Sequence, residues 1–396
     1  MSGIKLMNSA APQGAERMMI MKDVSGGKLH LFPGSNQVVL ATIGGEVFKS
    51  TDSGDSYQGE GDAFPTILSS TCNRLNTAIS FNNRYYFIGD TSTQDGVYWL
   101  GQSNDFGNTW TYDISGGFSV DTQMRFRNVA GSRDGRYVLA TTGQYQRNGD
   151  VWLTQDFGET WTKEFTGAQY YGCFVDTTGM NMIAGGYTAT TKYSTDYGDT
   201  WTTFPEPMTT FAVAMVSGDG NYKVAWEAYE QSGGARVYVS TDWTNWTETK
   251  LTTRLSGGAI SNDGKYMLIA SSDAFTSPNV NVNVSNDYGA TWSQVQVAES
   301  PAFFNGAAMS SDGQYQIVIG GAQDGYYNYK SIDFGATWSR IEEMPASRYS
   351  TVQMSKSGRY VYITEYTDGV WHSKDYMATW THQYDGSLGQ GCFINF

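Results

Sequence analysis

The sequence predicts an all-β chain of repeated four-stranded units closed into one ring, a single β-propeller, on three observations. An octapeptide of the form Ser/Thr-x-Asp-aromatic-Gly-x-Thr-Trp recurs from one end to the other. A second turn signal, Ser-x-Asp-Gly-x-Tyr followed by an apolar run, lies upstream of most copies. The composition, with Gly 46, Tyr 27 and Trp 12 and without amphipathic helical patterning, is that of a turn-rich β chain. A fixed period of this kind is read before anything else, because it decides the fold.

The octapeptide has four close copies besides 331–338, at 103–110, 154–161, 194–201 and 285–292. Three more are degraded: 50–57 carries Tyr57 for Trp, 373–380 has Met377 where Gly belongs, and 240–246 has lost the Gly and one residue of length. An Asp after a short polar residue bonds the backbone N–H groups ahead of it, and Gly supplies a left-handed turn. The motif is therefore expected to be structural, held by Asp52, Asp105, Asp156, Asp196, Asp242, Asp287, Asp333 and Asp375. Consecutive aspartates of this set lie 40 to 53 residues apart, the period of four-stranded propeller blades.

The upstream signal occurs at 132–137, 217–222, 261–266 and 310–315, with a variant at 355–360. Asp-Gly between apolar segments is a hairpin signal. Together the two turns define a module of strand, Asp-Gly turn, apolar strand, variable loop, strand, Asp turn and short strand. Laid along the chain, it gives units at 28–59, 73–114, 126–165, 169–204, 211–250, 257–297, 305–342 and 349–385. Eight units predict eight blades; seven is the alternative if a terminal strand replaces one already counted.

The domain reading is a leader and closure segment at 1–27, the propeller at 28–386 and a C-terminal closure strand at 387–396. Arg17 to Lys22 is the competing candidate for closure. Decay of the octapeptide in the first, fifth and eighth units is expected to mark turns relaxed by ring closure or by a partner.

The eight stretches resemble the Asp-box, or BNR-repeat, family, whose box is the hairpin turn between the third and fourth strands of a blade. That resemblance implies a propeller of the sialidase-like and sortilin-like fold group. It leaves function open, since the family spans sialidases, other glycosidases, sorting receptors, assembly factors and viral proteins.

Formal net charge is −14, which argues against nucleic acid as partner, because phosphate neutralisation needs clustered Lys and Arg. No run of about 18 apolar residues exists, and 1–23 has no apolar secretory core, so no membrane insertion and synthesis in the cytoplasm are expected. Cys72, Cys173 and Cys392 form no zinc or redox spacing, and His30, His372 and His382 no ligand spacing; neither metal nor cofactor is expected. Only 16% of residues are charged, leaving a surface of Asn, Ser, Thr and Tyr that suits neutral partners such as sugars.

In a propeller the loops after the second and fourth strands gather on one face, opposite the two Asp-bearing turns. The loop face is the expected ligand face, and its candidates are Arg125, Arg127, Tyr145, Tyr170, Tyr171, Trp226, Arg254, Phe303 and Arg348. Tyr170 with Tyr171, Phe303 with Phe304, and Trp226 are candidates for stacking on a sugar or a partner, one member of each pair pointing inward because strand side chains alternate.

A sialidase-like site, in which Arg125 or Arg127, Arg254 and Arg348 grip a carboxylate, is the enzymatic alternative. The early Phe/Tyr-Arg-Ile-Pro motif of sialidases is missing, however, and scattered loop arginines are ordinarily solvated or paired. A second alternative is a two-carboxylate glycosidase site from Glu227, Glu230 and Glu299. The preferred reading is a non-catalytic recognition or assembly propeller. Its polar surface resembles that of phage or viral structural proteins such as a tail, fibre or capsid-surface component, with host glycans or neighbouring virion proteins as partners in a larger assembly. A cytosolic assembly factor is the third class.

Overall fold

A computed structural model describes residues 126–383 apart from 144–148, 168–169, 171, 187–189, 205–212, 227–234, 252–254, 272–280, 298–303, 321–326, 348 and 366–368. Outside that stretch it describes the strand backbones at 20–22, 29–31, 38–41, 47–50, 58–59, 75–79, 86–90, 100–103 and 391–394, with residues 85, 104–105, 109 and 111. All regular structure among the described residues is β.

Strand pairing groups the strands into antiparallel sheets that follow one another along the chain. We number them by position: sheet 1 (38–59 with 391–394), sheet 2 (75–103), sheet 3 (126–167), sheet 4 (172–203), sheet 5 (213–250), sheet 6 (255–296), sheet 7 (304–340) and sheet 8 (349–383). Sheets 3 to 8 are six four-stranded meanders, each strand bonded to the one before it. Sheet 2 has three strands, extended by a bridge between Gln102 and Thr111. Sheet 1 completes its four with Gly391–Ile394, in register Val38 to Ile394 through Ala41 to Gly391. A separate two-stranded hairpin joins Ile20–Lys22 to Leu29–Leu31.

The first strand of each sheet contacts the first strand of the next, and Gly391–Ile394 lies against both Leu75–Ile79 and Tyr349–Met354. Burial follows from this arrangement. The second strands Val138–Thr142, Met267–Ser271, Gln316–Gly320 and Val361–Glu365 are buried at every position, because a neighbouring sheet covers each of their two faces. The outer strand Thr162–Gly167, by contrast, has no buried position.

Alternation along a strand sends successive side chains to opposite interfaces. Val138 and Ala140 pack with Phe87 and Leu100 of sheet 2, whereas Leu139 packs with Val175, Met182 and Ala184 of sheet 4. The same division recurs at Leu268 and Ile269, which face sheets 7 and 5 respectively. The core is thus a series of slabs between sheets.

The octapeptide closes the hairpin into the fourth strand as its chemistry dictates. In sheet 7 the Ser331 hydroxyl donates to Asp333 (2.8 Å), and the other donors to that carboxylate are the Thr337 N–H (2.9 Å) and hydroxyl (2.6 Å). The Gly335 N–H returns to Ser331 Oγ (3.0 Å). The same set holds the turns at Asp156, Asp196 and Asp287.

The turn at Asp375 is not relaxed as its sequence suggests. It keeps every one of these bonds, with Met377 in the glycine position at φ 66°. The shortened turn at Asp242 keeps a longer Ser240 hydroxyl bond (3.4 Å) and a backbone N–H, that of Trp243, on Ser240 Oγ (3.0 Å), and takes its other bonds from the N–H groups of Thr244 (3.0 Å) and Asn245 (2.7 Å) and from the Thr244 hydroxyl (3.0 Å). Asp52 and its turn lie outside the described residues.

Candidate functional site

Of the loop-face candidates, Arg125, Tyr145, Tyr171, Arg254, Phe303 and Arg348 lie outside the described residues, as do Glu227, Glu230 and Glu299. Arg127 is half-buried, and its Nε donates to the Gly143 carbonyl (2.8 Å), a bond that holds the end of its own sheet.

Tyr170 and Trp226 are corrections to the sequence reading: neither presents a ring to a ligand. Tyr170 is 2% exposed, packs edge-on to Phe165 (5.5 Å between centroids) and has its hydroxyl pushed up to about 12 by burial. Trp226 is 0% exposed within the slab between sheets 5 and 6, and its indole N–H donates to the Ser256 carbonyl (3.1 Å). Both side chains stand near a loop in the sequence, but the adjacent sheet covers them. Phe304 is likewise fully buried, the inward member of its pair.

Two buried acids escaped sequence reasoning, since nothing in their local pattern marks them. Asp150 is bonded by the Thr166 hydroxyl and stands 3.6 Å from Lys163 Nζ. Glu365 accepts the Trp371 indole N–H (3.1 Å) and lies 3.8 Å from His382 Nε2. Each is engaged inside its own sheet. No group of three or more His, Cys, Asp or Glu able to hold a metal occurs among the described residues.

The turn face, expected from the sequence to be structural, holds the exposed large apolar side chains of the described residues. The large hydrophobic side chains that remain well exposed among the described residues are Met180, Tyr197, Tyr288, Ile332, Phe334 and Tyr376, all in the two kinds of Asp-bearing turn. The aromatic residue after each turn aspartate has positive φ, 64° at Phe334 and Tyr288 and 62° at Tyr376, which lifts its ring out of the turn.

Each such ring meets the hairpin tyrosine of the preceding sheet. Tyr222 lies 4.9 Å from Tyr288, Tyr266 4.8 Å from Phe334, Tyr315 5.1 Å from Tyr376 and Tyr137 5.0 Å from Tyr197. The hairpin tyrosine also packs on the hairpin glycine of the following sheet: a Cβ on Gly264 would come within 2.4 Å of Tyr222. In the hairpin of sheet 4, Asn181 holds the tyrosine's place, and there Tyr193 stacks on Trp243 instead (5.1 Å, 10°). Backbone bonds link neighbouring hairpins on the same face, Asn262 N–H to Ser311 O and Ser311 N–H to Lys356 O, both 2.7 Å.

Between the turns of sheets 6 and 7 this face opens into a cleft of about 470 Å³, lined by Lys265, Tyr266, Asn286, Ser293, Val295 and Phe334 among others. The Lys265 ammonium sits 5.0 Å over the Tyr266 ring, and Asp333 at the cleft wall is already bonded within its turn. A counterpart of about 60 Å³ lies between sheets 2 and 3, with Phe157 in the position of Phe334 and Glu159 in that of Ala336.

A row of four-stranded meanders in contact through their first strands defines a β-propeller. No family model and no curated protein matches the sequence. Among solved structures the chain is similar to YCF48 from Cyanidioschyzon merolae, with 13% identity over 74% of this chain and 93% of that one and a TM-score of 0.52. It is similar to YCF48 bound to D1 peptide, at 15% identity over 77% and 92% with a TM-score of 0.52. The dihydro-heme d1 dehydrogenase NirN in complex with DHE shares 13% identity over 96% and 77%, with a TM-score of 0.62. At such identities the likeness shows the fold, on which unrelated functions are built.

Proposed function

We propose that this chain is a non-catalytic recognition or assembly module, a ring of eight blades closed by Gly391–Ile394, that meets its partner through the turn face. The observation that carries this reading is the confinement of exposed aromatic and aliphatic side chains, among the described residues, to that face. Half-exposed tyrosine and phenylalanine rings held in fixed orientation are the anchors that recognition surfaces favour, because they bury much area at small entropic cost.

A protein partner is supported by the fold likeness to YCF48 bound to D1 peptide. A virion setting, with host glycans or neighbouring virion proteins as partners, rests on composition alone. A photo-crosslinking residue placed at Tyr197, Tyr288 or Tyr376 in the native cell should capture a defined partner, and one at Lys250, at the far end of an outer strand, should not. Crosslinks from Lys250 alone, or turnover of an aryl glycoside or a sialoside by the intact chain, would remove the reading.

A further inference from the structure

The cleft between sheets 6 and 7 has the properties of a ligand site. Its volume of about 470 Å³ lies within the range of roughly 300 to 1,000 Å³ usual for small-molecule pockets. Its apolar lining comes from both sides, Val284, Val295 and Tyr266 of sheet 6 and the 41% exposed ring of Phe334 in sheet 7. The polar groups beside Val284 on sheet 6 are short and neutral: the exposed Asn286 carries an amide, and the exposed Ser293, the cross-strand partner of Val284, a hydroxyl.

The charged lining consists of one cation, Lys265, and one anion, Asp333, so the pocket carries no net charge to favour an ionic ligand. Both oxygens of Asp333 are turned into its own turn by the Ser331 and Thr337 donors. An apolar ring beside neutral donors and acceptors, in a pocket of balanced charge, fits a compact neutral polyol with one hydrophobic face. We propose that this cleft binds one or two rings of a neutral saccharide, stacked against Phe334 and hydrogen-bonded by Asn286, Ser293 and Lys265. The proposal rests on the turn face being the binding face.

The counterpart between sheets 2 and 3 differs in size and in lining. It shares the turn phenylalanine, Phe157, but has Gln102 where the larger cleft has Val284; it measures about 60 Å³, and the residue after the turn glycine is Glu159 rather than Ala336. That position is Ala in the turns of sheets 6, 7 and 8 (Ala290, Ala336, Ala378) and acidic in those of sheets 3 and 4 (Glu159, Asp199). The smaller groove is thus lined by a carboxylate side chain where the larger has a methyl group.

Saturation-transfer NMR on the full chain tests the proposal with N-acetylglucosamine, galactose, lactose and cellobiose, with galacturonate and a mixed decapeptide pool as comparators. At least one neutral sugar should bind, and Ala336→Glu should weaken it by about tenfold or more. Melting should be unchanged, since Glu159 fills the same position in an intact turn of this chain. Asn286→Ala should weaken binding without moving the melting point. Silence from all four neutral sugars, stronger binding of galacturonate or of the peptides, or unchanged affinity in Ala336→Glu would each overturn it. Crosslinks at Tyr288 and Tyr376, which lie outside the cleft lining, would persist in such a case and leave the recognition reading standing.

Discussion

Met377→Gly sets two opposing effects against each other at one residue. Met377 occupies the turn position that glycine fills in sheets 3, 4, 6 and 7, and it does so at φ 66°. Left-handed backbone costs a residue with a Cβ about 1 to 2 kcal/mol, which glycine would recover. The side chain is also 0% exposed and packs in the slab with Ile317, Ile341, Val361 and Trp380. Truncating a buried methionine costs about 2 to 5 kcal/mol, through lost burial and the cavity left behind.

Burial outweighs strain at the middle of both ranges, so Met377→Gly should destabilise the protein by about 2 kcal/mol. Met377→Ala loses the same packing without recovering the strain, and should be less stable than the glycine variant by about 1 kcal/mol. Equilibrium urea denaturation followed by tryptophan fluorescence reads both values. A glycine variant as stable as the wild type, or an alanine variant more stable than the glycine one, would refute the reasoning.

Gly264→Ala and Gly220→Ala form a second comparison. Both glycines have φ near +78° and +77°, but a Cβ at 264 would meet the Tyr222 ring at 2.4 Å whereas one at 220 meets nothing within 4 Å. Each should lose about 1 kcal/mol to backbone strain, and Gly264→Ala a further 1 to 3 kcal/mol to overpacking, read by the same denaturation. The third prediction is a pH dependence. Bonds from the threonine hydroxyls hold Asp196 and Asp333 below the ordinary carboxylate range, against a smaller opposing effect of burial. A depressed folded-state value gives stability that is complete above the unfolded value of about 3.9 and lost as pH falls through the folded one. Stability should therefore decline below about pH 4 from these groups, and Asp333→Asn should make that decline shallower while lowering stability at pH 7.

The repeat was legible because its physics is local. Asp333 is bonded by residues two positions behind and four ahead of it, and such a pattern survives in one dimension. The four-stranded sheets followed from the spacing of these turns. What the sequence hid is the contact between sheets. Trp226 looks available beside a variable loop, but its cover, Ser256 and Leu255, arrives from the next sheet, 30 residues on for the bonded carbonyl. Phe334 looks like turn packing, and its positive φ, which exposes the ring, leaves no trace in the motif. Among the described residues the exposed rings and the cleft stand among the turns, while most of the loop-face candidates lie outside them.

The handing of each hairpin tyrosine to the next sheet also gives the array a direction. Every sheet with the full hairpin offers a ring forward and a glycine socket backward, as Tyr266 enters between Gly313 and Phe334 while Gly264 receives Tyr222. An array cut anywhere among such sheets ends in one orphaned ring and one empty socket, complementary to each other. Growth or loss of the array is thus quantised in whole sheets.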